Sequence, residues 1–262
     1  MKPFRLFPKI NRAKIRFVLT DIDDTLTSKG RLPAAVFTAM EALQANGIRI
    51  IPITGRPAGW CDHIARMWPI DAIVGENGAF FFRYDPNRKK MLRRYFLSLE
   101  QRRDNRQKLD RIEREVLQAV PGAAVSADQP YRDADLAIDF CEDVPPLPQS
   151  AIDTIVTIFK RSGARAKVSS IHVNGWFGSY DKLTMTQILL CDIFNLPQND
   201  VKNQVLYIGD SPNDCPMFAF FPHSVGVANI LNFTGRLEVE PAWRTEHSGG
   251  TGFAEMVTVL LK

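Results

Sequence analysis

Cysteine and histidine are scarce in this sequence, and neither residue is spaced as a metal site requires. The four cysteines, Cys61, Cys141, Cys191 and Cys215, are scattered and form no C-x-x-C pair. This spacing argues against a structural zinc site and against a disulfide framework, so we predict a cytoplasmic protein of a reducing compartment. No apolar run approaches the roughly 20 residues that cross a bilayer, which argues against a membrane partner.

Acidic residues are absent from the first 16 positions, which carry six lysines and arginines. The net charge of +4 is therefore concentrated in this segment, and the rest of the chain is close to neutral. This distribution argues against a nucleic-acid partner, for which a basic surface on the folded body would be expected. We predict that residues 1–15 form a solvated basic tail; an organellar transit peptide is the alternative.

Short apolar runs alternate with helical patterns in the first and last thirds of the chain. The pattern predicts strands at 17–20, 48–53, 72–74, 205–208 and 224–228, and helices at 34–46, 58–67 and 185–194. Apolar runs between helices are typical of a parallel sheet that is covered on both faces. We therefore predict an α/β core with a doubly wound, Rossmann-like sheet, built from residues 16–83 and 179–262.

Residues 84–178 follow a different rhythm, in which a strand and a helix repeat about twice. The pattern predicts strands at 93–97, 134–141, 166–169 and 171–177, and helices at 99–119 and 151–162. We expect a compact α+β module with an antiparallel sheet, inserted into the core as a cap. The arginine-rich stretch 83–114 is interpreted either as a helix with charged exposed faces or as a wall that attracts anionic substrates.

Polar residues follow the first four strands of the predicted core sheet. They are Asp21, Thr54, Glu76 and Asp210. Ligands of open α/β sheets bind at this edge. Asp21 and Asp23 come directly after a buried strand, where two carboxylates raise each other's pKa unless a cation offsets their charge. Oxygen ligands favour Mg²⁺ as that cation.

Four short motifs are expected to meet at the same edge. They are Asp21, Asp23 and Thr25; Thr54, Gly55 and Arg56; Lys182 ahead of a helix; and Asp210, Asn213 and Asp214. A hydroxyl and an amide at a turn into a helix bind phosphate oxygens, and a lysine suits a non-bridging oxygen. Phosphoryl transfer needs a nucleophile, a metal and positive groups around the equatorial oxygens, and the four motifs together supply this set.

These motifs, in this order and spacing, resemble those of the haloacid dehalogenase superfamily of phosphatases. The insert between the second and third motifs resembles the type-2 (C2B-like) cap, and Glu76-Asn77-Gly78 is similar to the Cof-type branch. The resemblance covers residues 16–83 and 180–262, and in the cap it is one of architecture alone. It implies a Mg²⁺-dependent phosphatase, monomeric or homodimeric, for a small phosphorylated metabolite, with a sugar phosphate as the first candidate.

The resemblance also implies a role for each motif residue. Asp21 is expected to form an aspartyl-phosphate and to bind Mg²⁺, and Asp23 to act as general acid and base while its backbone carbonyl binds the metal. Asp210 is expected as a further metal ligand. Asp214 either binds the metal through water or positions Lys182, which holds the phosphoryl group together with Thr54. Further phosphate contacts are expected from Thr25, Gly55, Arg56 and Asn213.

The sequence leaves several assignments open. Asp24 and Leu183 stand where the family commonly has glycine. Asp24 is expected either to stabilise the turn or to add charge near the metal, and Leu183 to change the approach to Lys182. His172, Asn174 and Trp176 share one strand face, which either reads substrate hydroxyls or faces solvent. Arg132 lies in a polar loop that either reaches the site or does not.

Two other functions compete with the phosphatase. A phosphomutase would need a second phosphate pocket, for which Arg93, Arg94 and Arg132 are candidates. A non-catalytic binding protein on the same fold is the other alternative. The complete set of Asp21, Asp23 and Asp210 argues against it, since a decayed site tends to lose such costly charge.

Overall fold

The strands of the chain form three sheets in the part that the structure describes. The computed structural model describes residues 1–169 and 171–262. The strands are β1 (Lys2–Pro3), β2 (Phe17–Thr20), β3 (Arg49–Pro52), β4 (Ile73–Gly75), β5 (Phe80–Asp85), β6 (Lys90–Tyr95), β7 (Ala124–Val125), β8 (Leu136–Asp139), β9 (Arg165–Val168), β10 (His172–Trp176), β11 (Val205–Gly209), β12 (His223–Gly226) and β13 (Trp243–Arg244). The helices are α1 (Lys9–Arg12), α2 (Ala34–Ala45), α3 (Ala58–Met67), α4 (Leu99–Ala119), α5 (Gln149–Arg161), α6 (Lys182–Asp192), α7 (Gln198–Gln204), α8 (Cys215–Phe220) and α9 (Gly249–Leu260).

The largest sheet has the order β1-β13-β12-β11-β2-β3, and its strands run parallel. Its side chains alternate between two apolar clusters. Val18 and Leu206 pack with residues of α2, α3 and α9, whereas Leu19 and Tyr207 pack with residues of α6, α7 and α8. Because both faces are covered, β2 is buried along its whole length. The prediction of a doubly wound parallel sheet is confirmed.

The middle of the chain forms a second, antiparallel sheet of order β7-β8-β10-β9. Helices α4 and α5 cover one of its faces around an apolar cluster that includes Ile112, Ile138 and Val173. This is the α+β module that the sequence pattern predicts, and we call residues 98–178 the cap.

The passage from core to cap differs from the prediction. The predicted boundary between residues 83 and 84 falls inside β5, whose hairpin with β6 extends antiparallel from β4. Phe80 and Phe82 of this hairpin lie in the core cluster. The arginine-rich stretch 83–114 is therefore half hairpin and half helix. The exact division of the chain into domains stays a prediction.

The N-terminal segment is packed against the core, so the prediction of a solvated tail is wrong. β1 pairs with β13, and Phe4 and Phe7 are buried. Their rings stack at 5.0 Å between centroids, and each meets the Trp243 ring edge-on. Two aromatic side chains bury enough apolar surface to anchor a segment whose basic residues stay in solvent. The charge of the segment obscured this apolar pattern in the sequence.

No helix of the described residues is both long enough and apolar enough to cross a membrane.

Replacing Phe4 by alanine tests the anchoring of the N-terminal segment. We expect Phe4→Ala to lower the free energy of unfolding by about 3–5 kcal/mol, because it removes a fully buried ring and leaves a cavity. Leu6→Ala is the matched control, since Leu6 lies in the same segment and is 59% exposed. Urea unfolding measures the free energy of unfolding of both variants. Equally small losses in the two would contradict the packing of Phe4 against the core.

Candidate active site

The loop after β2 turns sharply at the edge of the sheet. The amide of Asp21 donates to the carbonyl of Ile208 on the neighbouring strand at 3.0 Å. The amides of Thr25, Leu26 and Thr27 all donate to the carbonyl of Ile22, which closes the turn. Asp24 adopts φ 57°, in the left-handed region that favours glycine and that aspartate tolerates better than most residues. The departure from glycine therefore leaves the tight turn intact.

A buried ammonium group joins two of the motif carboxylates. Nζ of Lys182 donates to Oδ1 of Asp21 at 2.7 Å and to Oδ1 of Asp214 at 3.3 Å. All three side chains are buried. Burial acts to lower the pKa of Lys182, but the two carboxylates outweigh burial and raise it. The lysine therefore keeps its charge beside Asp21.

Asp214 is held entirely by donors of the protein. Its Oδ1 also accepts from the Tyr207 hydroxyl at 2.5 Å, and its Oδ2 accepts from the amides of Asp210 and Ser211 at 3.0 and 3.3 Å. Of the two roles left open by the sequence, this geometry favours the partner that positions Lys182. Asn213 lies beside it in the cavity wall, with its Oδ1 accepting from the Ser211 hydroxyl.

Asn229 is a site residue that the sequence analysis missed. Its Nδ2 donates to Oδ2 of Asp210 at 3.1 Å and to the carbonyl of Asp24 at 3.0 Å. Its Oδ1 accepts from the amide of Gly249 at 2.9 Å. On the other side, the Thr25 hydroxyl lies 3.4 Å from Oδ1 of Asp210. Asn229 follows β12 at the same sheet edge, which is the one sequence signal that points to it.

The charges of the site do not balance without a cation. Asp21, Asp210 and Asp214 are buried around a single ammonium group. Burial and the carboxylates of Asp214 and Asp21 raise the pKa of Asp210, and burial outweighs Lys182 to raise the pKa of Asp21. No three acidic, histidine or cysteine side chains within residues 1–169 and 171–262 form a metal cluster. Two carboxylates completed by backbone and water oxygens nevertheless fit Mg²⁺, which keeps several waters.

The second motif follows β3 and faces the first. The Thr54 hydroxyl is buried and accepts from the amide of Arg56 at 3.0 Å. Thr54 is not the cap of α3, because Pro57 occupies that position. The Arg56 guanidinium binds the Asp23 carboxylate through contacts of 2.8–3.1 Å. Arg56, which was predicted to contact phosphate, thus holds Asp23, the predicted general acid and base. Gly55 lines the cavity beside Asp23.

Glu76 joins the core to the cap. Its buried carboxylate accepts four backbone N–H groups, from Ala58 of α3 and from Asp133, Ala134 and Asp135 of the cap, at 2.7–3.1 Å. A side chain at Gly78 would meet the backbone carbonyl of Asp181 at 2.1 Å. This close approach brings the turn 76–78 directly against the start of α6, where Lys182 lies.

A cavity of about 1020 Å³ lies between the sheet edge and the cap. Its wall includes Asp21, Asp23 and Asp210 from the core, and His172 and Asn174 from β10. The polar face of β10 therefore faces the site rather than solvent. Trp176 does not line this cavity. It is buried, its ring stacks on that of Tyr180 at 5.9 Å between centroids, and it lines a smaller chamber of about 410 Å³.

Two of the three arginines predicted for a second phosphate pocket, Arg132 of the cap and Arg93 of β6, are already paired. Arg132 lies in the cavity wall, but its guanidinium contacts Asp128 at 2.9 Å and Asp135 at 3.0 Å, and it donates to the carbonyl of Gly55 at 3.1 Å. Arg93 pairs with Asp62. Neither Arg93 nor Arg94 lines the cavity. The second phosphate pocket that these arginines were predicted to form for a phosphomutase is therefore not assembled.

Comparison with known proteins agrees with this geometry. A family model described as haloacid dehalogenase-like hydrolase matches residues 18–119, which include the first two motifs. This part of the chain is therefore similar to the haloacid dehalogenase-like hydrolases. This confirms the resemblance drawn from the motifs, while the assignment of the cap to type 2 stays a prediction. No curated protein matches the sequence of this hydrolase.

Solved structures share the fold over nearly the whole chain. A protein from Thermoplasma acidophilum is 18% identical, with a TM-score of 0.72, covering 94% of this chain and 98% of its own. The sucrose-phosphatase of Synechocystis sp. PCC6803, solved with sucrose and phosphate, is 16% identical with a TM-score of 0.65, covering 94% and 98%. A trehalose-6-phosphate phosphatase related protein is 14% identical with a TM-score of 0.61, covering 94% and 95%. At these identities the likeness is one of fold.

The buried imidazole of His172 makes the stability of this hydrolase depend on pH. Its Nε2 lies 2.9 Å from Oε2 of Glu142 but without hydrogen-bond geometry, and burial followed by the charge of Arg132 lowers the pKa of His172 to about 4. The unfolded chain takes up a proton near pH 6.5 and the folded chain does not, so stability is lost as pH falls from about 6.5 to 4.

We expect His172→Gln to reduce this acid loss of unfolding free energy by about 2–3 kcal/mol. Urea unfolding at pH 7 and pH 4.5 measures the loss in each protein. His63→Gln, at an exposed position of α3, is the control and should behave as the wild type. An unchanged pH dependence in His172→Gln would contradict a neutral, buried imidazole.

Proposed function

We propose that this hydrolase is a Mg²⁺-dependent phosphatase that cleaves the phosphoric monoester of a small sugar phosphate through an aspartyl-phosphate. The observation that carries the proposal is the 2.7 Å contact of Lys182 Nζ with Asp21, at the edge of the sheet and next to Asp210. A carboxylate beside a fixed ammonium group can attack phosphorus while the ammonium group neutralises the charge that the phosphoryl oxygens carry.

The side chains of the site divide the reaction between them. A carboxylate oxygen of Asp21 forms a bond to phosphorus as the bond from phosphorus to the sugar oxygen breaks. Asp23 donates a proton to that oxygen, and its carboxylate then takes a proton from the water that attacks the aspartyl-phosphate. Arg56 keeps Asp23 oriented between the two steps, because it grips both carboxylate oxygens. Thr54 and Lys182 hold the phosphoryl group.

The metal site consists of oxygen donors. Asp21, Asp210 and the backbone carbonyl of Asp23 would hold Mg²⁺, with Asn229 and Thr25 orienting the Asp210 carboxylate. Bound Mg²⁺ supplies positive charge at the phosphoryl oxygens and balances the buried carboxylates. Asp214 positions Lys182 and stays outside the ligand set.

The leaving group is a sugar in this proposal. The cap wall of the cavity carries hydrogen-bonding groups from His172 and Asn174, which suit hydroxyls. Two proteins of the same fold carry sucrose-phosphatase and trehalose-6-phosphate phosphatase in their names, which supports the same substrate class. The protein acts in the cytoplasm as a monomer or homodimer, without a nucleic-acid or membrane partner.

Asp21→Asn tests the nucleophile. We expect it to lower the rate of phosphate release from the best sugar phosphate about a thousandfold or more, because an amide cannot form the aspartyl-phosphate. Phosphate release is measured over a panel of sugar phosphates with and without Mg²⁺. Asp192→Asn, at an exposed position of α6, is the matched control and should keep full activity. Release that survives Asp21→Asn would refute the proposed mechanism.

Asn229→Ala tests the support of the metal site. We expect the Mg²⁺ concentration for half-maximal activity to rise about 10–100-fold, because the Asp210 carboxylate loses the group that orients it. Asn232→Ala is the control, since Asn232 lines the same cavity and makes no side-chain hydrogen bond among the described residues. Equal Mg²⁺ dependence in the two variants would show that Asn229 does not serve the metal.

A further inference from the structure

The open face of the cap sheet forms the roof of the cavity and carries a lysine. Lys167 on β9 lies directly opposite Asn174 on β10 in the antiparallel pairing. Directly opposed residues of two strands point to the same face of the sheet. Both residues line the cavity, so Lys167 extends the polar face of β10 towards the edge of the cap.

Lys167 has no acidic partner, unlike the three cations that lie at or against the motifs. Lys182 is bound by Asp21 and Asp214, Arg56 by Asp23, and Arg132 by Asp128 and Asp135. The other cavity cations that make no ion pair among the described residues, Lys29, Lys160 and Arg236, are exposed. Among the described residues, Lys167 makes no ion pair and no side-chain hydrogen bond. It is nevertheless half-buried, and burial followed by the charge of Lys182 lowers the pKa of Lys167. A desolvated, unpaired ammonium group is costly unless a ligand supplies the counter-charge.

The two walls of the cavity carry different charges. The core wall carries both signs: the carboxylates of Asp21, Asp23, Asp24 and Asp210, and the cations Lys29, Arg56 and Arg236. The ionisable residues of the cap wall, within the described chain, are Arg132, Lys160, Lys167 and His172, and none of them is acidic. Of these, Lys160 is exposed, Arg132 is paired and His172 is neutral. Lys167 therefore dominates the charge of the roof.

The roof is the side on which the leaving group must lie. Asp21 attacks from the sheet edge, and the bond to the leaving oxygen points away from the attacking oxygen in an in-line displacement. We propose that Lys167 binds a second anionic group on the leaving part of the substrate, so that this enzyme prefers sugar phosphates that also carry a carboxylate or another phosphate. This inference rests on the proposed function and narrows its substrate class.

Binding to a protein that cannot turn over the ligand tests the inference separately from catalysis. Full-length Asp21→Asn protein is titrated calorimetrically with glucose 6-phosphate, with 6-phosphogluconate, which adds a carboxylate, and with glucose 1,6-bisphosphate, which adds a phosphate. We expect at least one doubly anionic ligand to bind about tenfold more tightly than glucose 6-phosphate, the gain of one charge-assisted hydrogen bond. The ligand that gains identifies the second anion.

Three further variants in the same background assign the gain to Lys167. Lys167→Met keeps the aliphatic stem and should remove the tenfold difference, whereas Lys167→Arg should retain most of it. Lys90→Met is the matched control on β6, outside both cavities, and should retain all of it. Thermal unfolding confirms that each variant is folded.

Two results would overturn the inference. One is equal binding of all three ligands to the protein that keeps Lys167. The other is an equal loss of affinity for all three ligands in Lys167→Met, because this would place Lys167 at the phosphoryl group that is cleaved. Neither result depends on turnover. The proposed function fails by a different measurement, the absence of Asp21-dependent phosphate release from the wild type.

Discussion

One ammonium group, Nζ of Lys182, holds the buried acids of this site together. It lies 2.7 Å from Asp21 and 3.3 Å from Asp214, and all three side chains are buried. Removing charges from water is costly, so such a cluster persists only where its partners are well placed. Two negative charges remain after this pairing. Burial, together with this excess of negative charge, raises the pKa of Asp21 and Asp210, and the excess supports the divalent cation that we propose for the site.

The position of Lys182 depends in turn on the turn formed by residues 76–78. The backbone of Gly78 approaches the carbonyl of Asp181 so closely that a side chain would not fit. Glu76 in the same turn binds backbone amides of the cap through its carboxylate. The end of β4 therefore fixes both Lys182, to which we assign phosphate binding, and the roof of the cavity. This links the Glu76-Asn77-Gly78 segment, noted in the sequence as a branch signature, to a physical task.

The cap supplies the roof of the cavity, where we propose that the leaving part of the substrate binds. Its sheet presents neutral polar groups from His172 and Asn174 and the positive charge of Lys167. Arg132 forms ion pairs with Asp128 and Asp135 of the cap. Asp135 also accepts a hydrogen bond from Asn174 at 3.1 Å. A network that is already paired orients neighbouring side chains. Lys167, on the same face of the cap sheet, is unpaired among the described residues.

The sequence by itself determined the doubly wound sheet, the antiparallel insert, the family and the edge at which the motifs gather. The sheet, the insert and the edge follow from the local periodicity of apolar residues and from the residues that end each strand, whereas the family was indicated by the resemblance of the four motifs. It did not reveal the buried N-terminal aromatics, because the charge of that segment dominated its composition. It also missed Asn229, which contacts Asp24 across 205 positions, and it left the facing of the cap sheet open. Tertiary structure decided these points, because contacts between distant residues depend on how the elements pack rather than on the pattern within any one of them.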